Sequence, residues 1–183
     1  QNNAMPVIVG EEQEVILEGE CRNVRNASIL QSEANQAYAD LGKDMKEVQN
    51  RMTRLILATR KSQQDSAKMA EVIADFAELD AYRMELLEKW YNQDPLMGRI
   101  LALNTYLSYH NNGQDYQNEP HYFAKEYFSQ VDWSAPAYNH MPWVYEAVKS
   151  YTETIAMLRF PDHISKTHLN ALLQEIPADS RTH

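Results

Sequence analysis

The chain has 183 residues, enough for one sizeable hydrophobic core or for one core with a small appendage. Apolar residues make up 44% of it and charged residues 23%, which is typical of a folded globular protein and argues against a disordered chain. The formal net charge is −9, without the clustered cations that nucleic acids require, so we expect no nucleic-acid binding. No run approaches the roughly 20 apolar residues that span a bilayer, so we expect no membrane insertion.

The two ends of the sequence look incomplete. Residues 1–4 lack the charged and apolar regions of a signal peptide, so we expect that any such peptide has been removed or lies outside this sequence. The chain starts within what reads as a sheet, and residues 179–181 resemble the cap of a further helix. We therefore interpret the sequence as a fragment of a larger protein.

The first 31 residues predict a short β segment. Two apolar runs, Pro6–Val9 and Glu14–Glu18, flank a polar turn at residues 10–13, and this arrangement predicts a small hairpin. A third short run, Ala27–Leu30, leads to Ser32, which predicts a helix N-cap. Because an isolated hairpin is marginal in water, we expect these strands to pair or pack elsewhere, as part of a truncated β domain over residues 1–31.

From Ser32 onward the apolar residues change to helical spacing. Six of them recur at alternating intervals of three and four: Tyr38, Leu41, Met45, Val48, Met52 and Leu55. Asp65 or Ser66 predicts the start of a second helix, with an apolar face of Met69, Ile73, Phe76, Leu79, Leu86 and Trp90. Two long amphipathic helices joined by a short polar link predict an antiparallel helical hairpin. The pattern leaves open whether the first seam pairs within the chain or across a homodimer.

The remainder predicts a series of short helices. Asp94-Pro95 predicts the start of a helix from Leu96 to Tyr109, which ends at residues 111–113. Further helices are predicted at residues 121–131, 143–158 and 164–175, without a repeat of fixed period. The expected fold is mainly α, with a long antiparallel helical hairpin and a short-helix array over residues 32–183 after the small N-terminal β-hairpin.

Acidic residues and histidines do not form a convincing metal site in the sequence. Glu71, Asp75 and Glu78 share one helix face, but no histidine lies three residues after an acidic residue, as di-metal bundles require. His163 and His168 are five residues apart, not the four that align two zinc ligands on a helix. We interpret the carboxylates as a solvated face and predict no metal-binding residue.

The only cysteine is Cys21, which cannot close a disulfide within the chain. Its acidic neighbours, Glu18 and Glu20, disfavour a reactive thiolate, so we interpret it as structural or incidental. The sequence has no Gly-rich phosphate loop, no Gly-x-Ser-x-Gly and no Cys-x-x-Cys. We therefore predict no catalytic residue and no cofactor-binding residue in this chain.

Aromatic residues are unusually dense between residues 106 and 151. Helical spacings such as that of Phe123 and Tyr127 favour a core between helices. The alternative is a surface for a glycan or peptide, and the candidate residues for it are Tyr116, Trp133, Tyr138 and Trp143. This alternative requires the rings to be exposed.

Six stretches that follow most of the chain carry a resemblance to a known family. They are residues 15–27 (VILEGECRNVRNA), 32–38 (SEANQAY), 103–110 (LNTYLSYH), 122–128 (YFAKEYF), 142–151 (PWVYEAVKSY) and 176–182 (IPADSRT). In this order they resemble the N-terminal region of a family of cell-envelope thiol-disulfide oxidoreductases. In that family a small β domain and a helical segment precede a thioredoxin-like domain of the alkyl hydroperoxide reductase/thiol-specific antioxidant type. One departure is Leu30-Gln31-Ser32, where the family commonly has a Gly before the Ser.

The resemblance implies a periplasmic or cell-envelope location and a non-catalytic role beside a downstream thioredoxin-like domain. That role is spacing, dimerisation or contact with a protein client. The family's active dithiol lies in the thioredoxin-like domain, and no residue here matches it, so no catalytic residue is carried over. The alternative hypothesis is an independent envelope binding module that uses the aromatic-rich helical surface for a glycan or peptide.

Overall fold

The computed structural model describes residues 5, 7–9, 14–20 and 22–177, apart from the side chain of residue 25. Helices dominate these residues, and a two-stranded antiparallel sheet lies near the N-terminus, so the predicted fold class is confirmed. The chain divides into two compact units, Gln1–Glu47 and Val48–His183. Cys21, the predicted turn at residues 10–13 and the predicted cap at residues 179–181 lie outside the described residues.

The sheet of the first unit joins a different pair of runs from the pair that the sequence predicts. Strand β1, Ile16–Glu18, pairs antiparallel with strand β2, Ser28–Gln31, and a 3₁₀ turn at Val24–Asn26 lies in the connection. Leu17 lies opposite Ile29 in the register, with an irregularity between residues 16 and 17. The second and third predicted runs therefore form the hairpin, and residues 7–9 of the first run form no strand.

Asn35 explains why the first run does not join the sheet. Its buried side-chain amide accepts a hydrogen bond from the Ile8 backbone N–H at 2.8 Å and donates one to the Ile8 carbonyl at 2.7 Å. One side chain thereby occupies both backbone groups that a neighbouring strand would otherwise pair. Asn35 lies in the first turn of helix α1, Glu33–Ser62, and its own N–H donates to the Ser32 hydroxyl at 3.1 Å, which confirms the predicted N-cap.

The second unit begins with the C-terminal half of α1 and with helix α2, Ser66–Gln93. Asp65 caps α2 by accepting a hydrogen bond from the Lys68 backbone N–H at 3.1 Å. The Arg51 guanidinium lies 4.9 Å from the centre of the Tyr82 ring, which places the two antiparallel helices side by side. The buried residues of α2 are Val72, Phe76, Leu79, Asp80, Arg83, Leu86, Leu87 and Trp90. Four of them belong to the predicted apolar face, whereas the two charged ones were not expected in a core.

Five further helices follow in the described chain. They are α3 Pro95–Ala102, α4 Tyr109–Asn112, α5 Glu119–Glu126, α6 Pro142–Met157 and α7 Asp162–Glu175, with a 3₁₀ turn at Pro136–His140 before α6. Asp94 caps α3 as predicted, because its carboxylate accepts hydrogen bonds from the backbone N–H groups of Leu96 and Met97. The predicted helices at 143–158 and 164–175 match α6 and α7 within two residues.

Two predicted helices are longer than the observed ones. The helix predicted from Leu96 to Tyr109 is wrong, because α3 ends at Ala102 and residues 103–108 are not helical. The side chains of Asn104 and Thr105 donate to the carbonyls of residues 100 and 101, both at 2.9 Å, and so satisfy groups that a continuing helix would bond. Helix α5 likewise ends before the predicted residue 131, and hydrogen-bonded turns over residues 126–131 replace its last part.

Candidate functional site

The four aromatic residues predicted as a binding surface lie in different environments. Trp133 is 6% exposed and Tyr138 is 2% exposed, and their ring centres are 5.6 Å apart in the interior of the second unit. Tyr116 is half-buried, with its ring edge-on to Tyr122 at 5.1 Å, and Trp143 is half-buried on α6. The structure therefore brings Trp133 and Tyr138 together, but as core residues whose faces are covered by protein.

Three other aromatic residues of this region pack around Tyr151. Its ring lies 5.4 to 5.8 Å from those of Phe123, Tyr127 and Phe128. Its hydroxyl donates to the Ala124 carbonyl at 2.7 Å and so ties α6 to α5. Burial raises the pKa of Tyr151 to about 12. These contacts make the region a packed aromatic core that positions α5, and with it the residues of the cleft described next.

A cleft of about 440 Å³ lies at the surface of the second unit. Its lining residues are Asp115, Tyr116, Gln117, His121, Lys125 and His168, and we call it the histidine cleft. The volume falls within the range of roughly 300 to 1,000 Å³ that is usual for small-molecule sites. Two titratable imidazoles, one ammonium and one carboxylate share this space, so its charge depends on pH.

Three elements position the cleft residues. Asn118 caps α5 by accepting a hydrogen bond from the His121 backbone N–H at 3.1 Å, and this fixes the helix start on which His121 lies. Lys125 follows His121 by four residues and lies on the same helix face. His168 comes from α7, and its ring centre is 5.7 Å from that of His121. The Tyr116 hydroxyl donates to the Glu126 carboxylate, which holds the loop before α5 against the helix.

The electrostatics of the cleft favour a neutral His168. Burial lowers its pKa most, and the nearby His121 and Lys125 lower it further. Its Nε2 atom is buried and has no hydrogen-bond partner among the residues that the structure describes. Because an imidazolium donates from both ring nitrogens, a buried nitrogen without an acceptor disfavours the charged form.

A second surface feature belongs to the first unit. Four apolar side chains of the β-hairpin are exposed: Ile16 (37%), Leu17 (47%), Val24 (41%) and Leu30 (59%). We call them the hairpin patch. All three residues of β1 are exposed, and successive residues of a strand face opposite sides, so neither face of β1 is covered. The residues that the structure describes therefore do not supply the further packing partner that the sequence predicts for this hairpin.

Neither a cluster of metal ligands nor a membrane-spanning helix occurs in the described part of the chain. It contains no group of three or more His, Cys, Asp or Glu side chains placed to hold a metal ion. In the same residues, no helix combines the length and the apolar character that a membrane crossing requires.

The sequence did not indicate the pairing of His121 with His168. The two residues are 47 positions apart, and His168 was interpreted only together with His163, five residues before it in the chain. Their proximity follows from the packing of α7 near the start of α5. The ring of Phe160, a residue just before α7, lies 5.0 Å from that of His121 and 5.4 Å from that of His168. No local sequence signal encodes such a contact.

No family model, no curated protein and no solved structure matches this chain.

Proposed function

We propose that this chain is a non-catalytic accessory domain that binds a thioredoxin-like domain of a thiol-disulfide oxidoreductase through its β-hairpin. The observation that carries the proposal is the hairpin patch. Four exposed apolar side chains within residues 16–30 exceed the single scattered ones that are normal on a protein surface, and such concentrations mark interaction sites. The redox chemistry belongs to the partner in this proposal, and the location that goes with it is the periplasm or cell envelope.

The geometry of the patch supports a protein partner in particular. A two-stranded hairpin is marginal in water on its own, and every residue of β1, including Ile16 and Leu17, is exposed. An additional strand or a packed domain face would cover these side chains and would also pair the open edges of the sheet. The resemblance of residues 15–27 to the oxidoreductase family covers β1 and the turn after it, which motivates the choice of a thioredoxin-like domain as the partner.

The aromatic binding-module alternative is less well supported. A glycan or a peptide needs open ring faces, and Trp133 and Tyr138 are almost fully buried. Only Tyr116 and Trp143 of the four candidate residues keep substantial exposure. The accessory-domain proposal is therefore the better supported of the two.

The first test is to read the gene beyond the codon for residue 183. We expect it to encode a thioredoxin-like domain with Cys-x-x-Cys or a peroxidatic cysteine. A continuation that lacks both would contradict the assignment to an oxidoreductase, whereas the hairpin patch would still require a partner.

The second test measures binding of that domain to the chain by isothermal titration calorimetry. The double variant Leu17→Lys, Leu30→Lys should weaken binding at least about tenfold, because each charge would be buried against the partner. The matched control is Met157→Lys, which changes an apolar side chain on α6 that is also exposed, at 72%. Equal affinities for the two variants would show that the hairpin patch is not the contact surface.

A further inference from the structure

The histidine cleft brings together three nitrogen groups. His121, Lys125 and His168 line it, on α5 and α7. Lys125 makes no ion pair with a carboxylate among the described residues. The Glu126 carboxylate, one residue further along α5, is engaged by the Tyr116 hydroxyl.

The energetic consequence is mutual repulsion that a ligand could relieve. The charges of His121 and Lys125 both act against protonation of His168. A negative group placed between the three would reverse that effect, since opposite charges a few ångströms apart favour the charged form of each. The partly enclosed position of the imidazoles strengthens such an interaction relative to open water.

We propose that the histidine cleft binds the oxyanion group of a small molecule, a carboxylate or a phosphate-type group, between Lys125, His121 and His168. Binding of the anion is coupled to protonation of His168. A metal ion fits the same residues less well, because the described residues here provide no third ligand and because Lys125 would repel a cation.

Asp115 and Lys125 should have opposite effects on the binding of an anion. The Asp115 carboxylate also lines the cleft and opposes an anion there. Removal of its charge should therefore strengthen anion binding, while removal of the Lys125 charge should weaken it. Both side chains are exposed, so neither substitution disturbs a packed core.

The experiment follows the histidine ring signals of the full chain by NMR during pH titrations. The probes are sulfate, a tetrahedral dianion that keeps its charge throughout, and acetate, a planar carboxylate. Ionic strength is held constant with chloride, because screening alone alters surface electrostatics. At saturating probe the pKa of His168 should rise by about one unit, which corresponds to about tenfold tighter binding to the protonated form. A larger effect of sulfate or of acetate identifies which geometry the cleft prefers.

Variants make the result specific. Lys125→Met should weaken binding at least about fivefold, and Asp115→Asn should strengthen it about twofold or more, both by the Coulomb energy of one nearby charge. The matched control is Lys166→Met, which removes an exposed ammonium from α7 outside the cleft. His163 provides an internal reference signal, since it is exposed on the same helix and does not line the cleft. Equal shifts at His163 and His168, or equal binding by the two lysine variants, would overturn the proposal.

Discussion

The Asp80 carboxylate holds Ser108 by both its backbone and its side chain, across 28 residues of sequence. The Ser108 N–H lies 3.0 Å from each carboxylate oxygen, and its hydroxyl donates to Oδ2 at 2.6 Å. The Arg83 guanidinium donates to Oδ1 at 3.1 Å, and the Asn112 amide donates to Oδ2 at 3.1 Å. These donors compensate a carboxylate that α2 buries, and they fix where the chain leaves α3 and enters α4.

Asp80→Ala should lower the free energy of unfolding by about 3 to 5 kcal/mol. The reason is that Arg83 would remain as a buried cation without its partner, while the Ser108 N–H would lose its acceptor. Urea unfolding followed by circular dichroism measures the change. The matched control is Asp75→Ala on the exposed side of the same helix, which should change stability by less than about 0.5 kcal/mol. Similar losses in both variants would show that the Asp80 network has no special role.

Tyr151→Phe should destabilise the protein by about 1 kcal/mol. The substitution keeps the ring in the aromatic core and removes only the hydroxyl that donates to the Ala124 carbonyl at 2.7 Å. Tyr145→Phe removes a hydroxyl from an exposed ring on the same helix and should be neutral. Thermal unfolding of the two variants side by side gives the comparison, and an unchanged Tyr151→Phe variant would contradict the assigned hydrogen bond.

Stability should fall steeply as the pH rises above 10. Burial raises the pKa of Tyr122 and of Tyr151 to about 12 and also raises that of Tyr106. Unfolded tyrosine ionises near pH 10, so between pH 10 and 12 the unfolded chain releases protons that the folded chain retains. The stabilisation is therefore complete below pH 10 and is lost above it, by up to about 1.4 kcal/mol per pH unit for each such tyrosine.

The measurement is the urea midpoint between pH 8 and 12, together with the ultraviolet absorbance of tyrosinate. We expect the tyrosinate forms of Tyr106, Tyr122 and Tyr151 to appear in step with unfolding. Smooth ionisation of these three tyrosines near pH 10 in the folded state would contradict the burial of their hydroxyls.

Arg159→Gly should stabilise the protein by about 1 kcal/mol. Arg159 follows the end of α6 with a positive φ of 53°, a left-handed conformation that strains a residue with a side chain and that glycine adopts freely. Lys149→Gly, in the exposed interior of the same helix, should instead destabilise by about 1 kcal/mol. Opposite shifts in melting temperature for the two glycine variants are the expected result.

The sequence by itself predicted the features that depend on neighbouring residues. The helix caps at Ser32, Asp65 and Asp94 and most of the apolar face of α2 were recognisable, because capping and helical periodicity act over three or four residues. The mainly α fold class followed from these local signals.

Contacts between distant residues were decided only by the tertiary structure. The Asn35 amide hydrogen-bonds both backbone groups of Ile8, which keeps them from pairing with a strand. The Asp80 carboxylate accepts a hydrogen bond from the Ser108 N–H, in the stretch where the predicted helix is interrupted. The meeting of His121 with His168 is of the same kind. In the Asn35 and Asp80 cases a polar side chain satisfies a group far away in the chain, and the free energy of that pairing depends on burial, which local periodicity does not specify.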